Sequence, residues 1–377
     1  MDLNHYLKEL EYLVNIDSGS ENSEGVNKVA DFFVEKFSDL GWNIHEYEFG
    51  TACGKCVICT NREAEHYDLL MIGHLDTVFP KGTSKERPFR IEGNLAYGPG
   101  VADMKHGSLM MYHLLKNLPQ EVNEKLNIVA IFNPDEEIGS GYSRTVYEKY
   151  ARKSLYGFLY EASDENGCCA ERKGGLFYDI DFIGKDGHSG YMFTNGSRSA
   201  IHEMGKWIVE FSEMASLEKG TTVNVGIANG GIKSNVVAPS AQIEIDIRIS
   251  DNSEIERFDK AIEEMTAEAK ERGIGVKIEK RVKPALMYTE KTDRYIKHVE
   301  RITKENGIEF KHKARGGLSD ANILATFGVL CLDGMGPYGD KEHSPDEYMK
   351  IDSVIPCYNL SALLIKDLAQ QKNSIIV

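Results

Sequence analysis

Positive charge is what this sequence most lacks: 44 lysines and arginines stand against 59 aspartates and glutamates, for a formal net charge of -15 over 377 residues. No basic run offsets the excess, and such a surface opposes attraction to phosphate backbones and anionic headgroups. Nucleic acid and anionic membranes are therefore not expected as partners. No apolar stretch approaches the ~20 residues of a membrane-spanning helix. Cysteine is sparse and odd in number, seven in all. The opening segment Asp2 to Leu10 reads as a mixed amphipathic helix without the charged start and apolar stretch of an export signal. Free thiols in a reducing cytoplasm are expected, and a disulfide framework is not. Internal repeats and low-complexity tracts are missing as well, which excludes a solenoid.

Cys53, Cys56 and Cys59 fall close together and invite comparison with thiolate metal sites. A fourth thiolate is not at hand, and strand alternation would turn Cys53 and Cys56 to opposite faces. The segment reads as a strand rich in small apolar residues.

What is present suffices for two cores: 41% of the residues are apolar. Glu21 to Gly41 carries helix spacing in Val26, Val29, Phe33, Phe37 and Leu40 and stops at a glycine. Compact apolar runs at 67–73, 126–132, 157–160 and 329–332 read as buried strands, with helices expected at Asp103 to Leu118 and Ser140 to Ala151. That order predicts an α/β fold, a mixed sheet covered by helices. The middle differs. From Gly175 to Lys280 the pattern runs strand, helix, strand, strand, helix, strand, the ferredoxin-like order of an inserted α+β unit. The expected division is residues 1–173, an insertion at 174–285, and a return to the first domain over 286–377.

Ionisable residues concentrate where apolar strands end. His74 and Asp76 are two apart in Gly73-His74-Leu75-Asp76, so a continuing strand would point both to one side, His74 as metal ligand and Asp76 fixing its tautomer. Asp103 follows the turn Tyr97-Gly98-Pro99-Gly100 and is expected to open a helix, where a carboxylate is readily held. It is the natural bridging ligand. Glu136 and Glu137 are adjacent and diverge outside a helix, so one can bind metal while the other faces a water. With Asp103 shared, His74 and Glu161 complete one site, and Glu137 and His343 the other. Three protein ligands per ion leave a position open for water, the catalytic pattern for zinc, and a pair of ions about 3.5–4 Å apart would clamp that water.

The motifs Gly98-Pro99-Gly100-Val101-Ala102-Asp103-Met104-Lys105, Asp135-Glu136-Glu137, Gly316-Gly317-Leu318-Ser319-Asp320-Ala321 and His343-Ser344-Pro345-Asp346-Glu347-Tyr348 resemble those of the dinuclear zinc exopeptidases. This family includes glutamate carboxypeptidase, acetylornithine deacetylase, succinyl-diaminopimelate desuccinylase and peptidase T, and the likeness is greatest to the glutamate carboxypeptidases. The resemblance implies Glu136 as general base and His74, Asp103, Glu137, Glu161 and His343 as ligands of two Zn(2+) per subunit, with cobalt or manganese able to replace zinc. It implies a homodimer in which the inserted unit is lid and interface and His188 reaches the partner's site to stabilise an oxyanion. Asn235, Arg248 and the Gly316, Gly317, Leu318, Ser319 segment resemble substrate-binding positions. The implied reaction is hydrolysis of an amide bond next to a free carboxylate in a small peptide or acyl-amino acid, with glutamate the first expected leaving residue. An N-acyl amino acid deacylase and a non-catalytic metal-dependent binder are the competing readings. His106 departs from the family, which usually has glycine after Asp-Met-Lys.

Overall fold

The computed structural model describes residues 1–164 and 167–371; the last residues of the expected third segment, 372–377, lie outside that range. Two compact units are present. The first comprises 1–170, 288–314 and 319–377, and the second 171–287 with 315–318.

The first unit is built on a six-stranded sheet in the order Asn43–Tyr47, Cys56–Thr60, Ile128–Asn133, Tyr67–His74, Ser154–Leu159, Leu330–Leu332. The last four run parallel and the first two antiparallel, so the sheet is mixed. Tyr67–His74 and Ile128–Asn133 are buried along almost their whole length, as strands covered on both faces must be. Their continuous apolar runs are why the sequence marked them. The covering helices Ser23–Asp39 and His106–Lys116 bring Val26, Phe33, Phe37, Leu109 and Met110 onto the sheet, where Phe33 stacks on Phe132 at 4.2 Å between centroids. Gly107 lets helix and sheet approach closely, since a β-carbon there would lie 1.7 Å from the Tyr160 carbonyl oxygen. A smaller sheet, Gly339–Asp340, Tyr348–Lys350, Leu95–Tyr97, Arg90–Glu92, adjoins in the same unit.

The second unit is a four-stranded antiparallel sheet ordered Thr222–Gly230, Ser240–Ile249, Gly174–Ile183, Gly275–Lys283. Alternation puts Ile243, Ile245, Ile247, Leu176, Tyr178 and Ile180 on one face. There they pack against Trp207 and Phe211 of the helix Ala200–Glu213 and Phe258 and Met265 of the helix Ser253–Glu271. The element order is ferredoxin-like, and the fold is an α/β unit with an inserted α+β unit. Cys56–Thr60 is a fully buried strand, all seven cysteines are free thiols, and among the described residues none belongs to a ligand cluster.

Candidate metal centre and active site

Three parallel strands finish side by side on one edge of the large sheet, Tyr67–His74 between Ile128–Asn133 and Ser154–Leu159. Open α/β sheets gather their chemistry at the carboxyl ends of the strands. His74 is the last residue of the central strand, Glu136 and Glu137 lie on the turn after its neighbour, and Glu161 lies just past the third. The other two ligand candidates arrive from the small sheet. The turn Val101–Lys105 follows Leu95–Tyr97, and His343 sits in the loop joining Gly339–Asp340 to Tyr348–Lys350, which pairs with Leu95–Tyr97.

Asp103 does not open a helix as expected. Its backbone is extended (φ -123°, ψ 94°), its peptide bond to Met104 is cis, and the helix begins at His106. The loop is held instead by Glu347, whose buried carboxylate accepts from the N–H groups of Gly100 (3.0 Å), Ala102 (2.8 Å) and Asp103 (3.0 Å). Three donors from one turn explain why a carboxylate sits there although burial pushes it up to about 7. Sequence reasoning missed Glu347. It stands in the family-like motif that begins at His343, with no role assigned to it from sequence.

Asp103 divides its two oxygens. Oδ1 lies 2.8 Å from His74 Nε2 and Oδ2 3.1 Å from His343 Nε2. Glu161 Oε2 is 3.8 Å from the same His74 nitrogen, and Glu137 Oε2 is 3.1 Å from the His343 nitrogen. Two donor groups result, His74 with Asp103 and Glu161, and Asp103 with Glu137 and His343; within each, the ligand atoms lie within 4.8 Å of one another. His74 Nδ1 faces the Asp76 backbone carbonyl at 3.0 Å and its carboxylate at 3.3 Å, which leaves Nε2 toward the carboxylates. Asp76 lies past the end of the strand, so the pleat does not aim it. It also accepts from Ser20 Oγ (2.7 Å) and from the N–H groups of Glu136 (3.1 Å) and Glu137 (3.2 Å).

The electrostatics of the cluster call for a cation. Burial, and then repulsion from Asp103, push Glu137 up to about 8. Burial likewise drives Glu161 well above the usual carboxylate range, with Asp103 adding to it against the pull of His74. Hydrogen bonds to Asp103 and Glu137 raise His343 to about 11, and for His74 the bonds to Asp103 and Asp76 outweigh burial and raise it too. Protons thus gather where divalent ions would replace them. Glu137 Oε1 is buried with no hydrogen-bond partner, as expected of an oxygen that needs an ion. The mixed imidazole and carboxylate donors suit zinc and its borderline neighbours.

His106 is fully buried and turned to structure: Nε2 donates to the Pro337 carbonyl (3.0 Å), while Nδ1 accepts from Gly107 N (2.6 Å). Burial lowers it to about 4, which keeps the ring neutral in that tautomer. Pro337 also accepts from Ser163 N, and Gly336 N donates to the Glu161 carbonyl, so His106 braces the segment behind Glu161.

The remaining candidates lie elsewhere in the chain. His188, Asn235, Arg248, Gly316, Gly317 and Leu318 belong to the second unit. There, Ser189 N donates to the Asn235 carbonyl (3.1 Å), which fastens the His188 loop to the Asn235 loop. The Arg248 fork is engaged by Asp246 through Nε (2.7 Å) and Nη2 (2.8 Å), leaving Nη1 outside that pair. Gly317 offers its carbonyl to Arg172 Nη1 at 3.2 Å. Ser319 belongs to the first unit and is fully buried. It caps the helix Asp320–Ala325, its hydroxyl donating to Asp333 (2.5 Å) and accepting from Ala321 N (3.1 Å).

Two donor groups meet at Asp103, on a mixed sheet in a chain that also carries an inserted ferredoxin-like unit. The model of Peptidase family M20/M25/M40 matches residues 70–367, and the chain belongs to that family. It is 30% identical to carboxypeptidase G2 of Pseudomonas sp. (strain RS-16) over 374 residues, 97% of this chain and 90% of the relative. It is 26% identical to the acetylornithine deacetylase of Proteus mirabilis (strain HI4320), over 87% of this chain and 86% of the other. The fold is shared with the aminopeptidase PepT of Bacillus cereus ATCC 10987, with a TM-score of 0.78 at 22% identity over 98% of this chain and 99% of that one.

Proposed function

We propose that this member of the family is a carboxypeptidase-type enzyme that hydrolyses the amide bond next to a free carboxylate, with glutamate the first candidate for the released residue. The observation that carries the reading is the shared Asp103, flanked by His74 and Glu161 on one side and by Glu137 and His343 on the other. Those five residues would hold two zinc ions, or cobalt or manganese in their place. Ions bound there would polarise the scissile carbonyl and lower the pKa of a water between them.

The rest falls to the chain. Glu136 takes the proton of the attacking water and hands it to the departing nitrogen, one carboxylate serving as base and then as acid. Asp76 holds the Glu136 and Glu137 N–H groups through its two oxygens, so base and ligand keep a fixed relation. In the second unit, His188 donates to the oxyanion in the partner subunit, while Asn235, the unengaged Nη1 of Arg248 and the Gly316–Leu318 backbone hold the substrate's carboxylate end. Ser319 contributes by starting the helix that carries Asp320. A homodimer is supported by the edge strand Thr222–Gly230, which leaves one ladder side open, and by Val209 and Ile227 exposed on the second unit.

The choice of carboxypeptidase rests on the 30% identity to carboxypeptidase G2. The identity to an acetylornithine deacetylase favours N-acyl amino acid deacylation as the second reading. A panel of acyl-glutamates, acetyl-amino acids and dipeptides, offered to the zinc-reconstituted protein, separates them. The expected order of kcat/KM has C-terminal glutamate substrates first. A preference for acetyl-amino acids over longer acyl groups would favour the deacylase, and no turnover at full zinc content would leave a metal-dependent binder.

A further inference from the structure

We infer that Asp320 is a positioning residue for the base Glu136, acting through Ser140 and Asn133; this rests on the reading of Glu136 given above. The two glutamates stand on a turn with closed ends. Gly139 N donates to the Glu136 carbonyl and Ser140 N to the Asp135 carbonyl, each at 2.7 Å. The Asp320 carboxylate grips this turn at both ends, accepting from Asn133 Nδ2 at 2.7 Å and from Ser140 Oγ at 2.5 Å. Tyr147 OH adds a third donor at 2.7 Å. All four side chains are buried, so the network works where water cannot replace a lost partner.

The backbone shows what the serine is for. Ser140 has φ +55°, a left-handed conformation that glycine adopts freely and a serine only at a cost. Gly139 beside it has φ +93°. Holding a side chain at such a position requires a compensating contact, and the bond from its hydroxyl to Asp320 supplies one. Asp76 holds the Glu136 N–H from one side, and Asp320 holds both ends of the turn that carries Glu136. Asp320 follows directly on the Gly316-Gly317-Leu318-Ser319 segment, so the residue that fixes the base is covalently joined to the segment proposed to hold the substrate.

The test is Ser140→Gly in the metal-reconstituted full chain. Glycine removes the hydroxyl and relieves the left-handed backbone, so the thermal midpoint is expected to stay level or rise, metal content to remain full, and KM to hold within about twofold. The kcat is expected to fall about 10–100-fold, the scale of a misplaced catalytic group. Tyr147→Phe, which removes the Tyr147 donor, should show a smaller fall of the same kind. In a Glu136→Gln background, Ser140→Gly should add nothing, because both act on one group. Wild-type kcat in Ser140→Gly, metal loss matching the loss of rate, or losses that multiply in the double variant would each overturn the inference. Near-normal turnover in Glu136→Gln alone would instead overturn the reading of the base, whatever Ser140→Gly does.

Discussion

Asp76 has no exposed surface, yet it faces four donors: the Ser20 hydroxyl, the His74 ring and the N–H groups of Glu136 and Glu137. Its pairing with His74 was readable because the two are neighbours in sequence. Its hold on the glutamate turn was not, since that turn lies some sixty residues further on. Asp76→Ala is therefore expected to lower metal affinity or turnover about 10–100-fold, the usual cost of losing the group behind a metal-binding histidine. Metal titration and steady-state kinetics check this, and unchanged values in both would remove Asp76 from the site. His106, which departs from the family's usual glycine near a ligand, has both ring nitrogens engaged with backbone.

Among the elements, the strands were the most legible, because burial on both faces writes an unbroken apolar run into 67–74 and 128–133. The helix after Asp103 was misjudged at its start. Local pattern favoured helix from Asp103, but three backbone N–H groups donate to Glu347 and hold the turn, and no local rule contains a residue 244 positions away. In the second unit, the helix Ser253–Glu271 carries the buried Glu254, joined to Arg257 (3.0 Å), Thr221 (2.8 Å) and Lys219 (3.1 Å). Burial pushes its carboxyl up, but these donors outweigh burial and hold it at about 2. A carboxyl lowered in the folded state adds stability that is complete above its unfolded value near 4.5 and is lost as pH falls toward 2. Glu254→Gln is thus expected to flatten the acid limb between pH 4.5 and 2 and to cost about 1.5–3 kcal/mol at neutral pH. Urea titrations of both proteins across that range decide it, and parallel acid limbs would refute the assignment.

For the whole molecule, bound ions should stabilise a centre that otherwise gathers protons on buried carboxylates. Chelation is expected to lower the thermal midpoint and zinc to restore it. Linkage sets the scale at about 2.7 kcal/mol when free metal exceeds its dissociation constant a hundredfold. A midpoint indifferent to chelator and zinc would argue against ions at this site. The proposed sharing of His188 between subunits has its own check: mixing His188→Ala with Asp103→Ala chains should restore activity through hybrid dimers carrying one intact site. Verified subunit exchange with no rescue would confine His188 to its own subunit.

By itself the sequence determined the alternation of strand and helix, the ferredoxin-like order of the insertion and the identity of the ligand candidates, because these depend on local periodicity and on charges placed where apolar runs end. Only the tertiary structure decided how the candidates meet. Asp103 faces His74 with one oxygen and His343, 240 residues later, with the other. Glu347 and Asp320, which stand in family-like motifs but had no role assigned from sequence, are the residues that hold the Asp103 turn and the Glu136 turn. The physical reason is that a buried carboxylate needs several donors at once, and the chain supplies them from segments that only folding brings together.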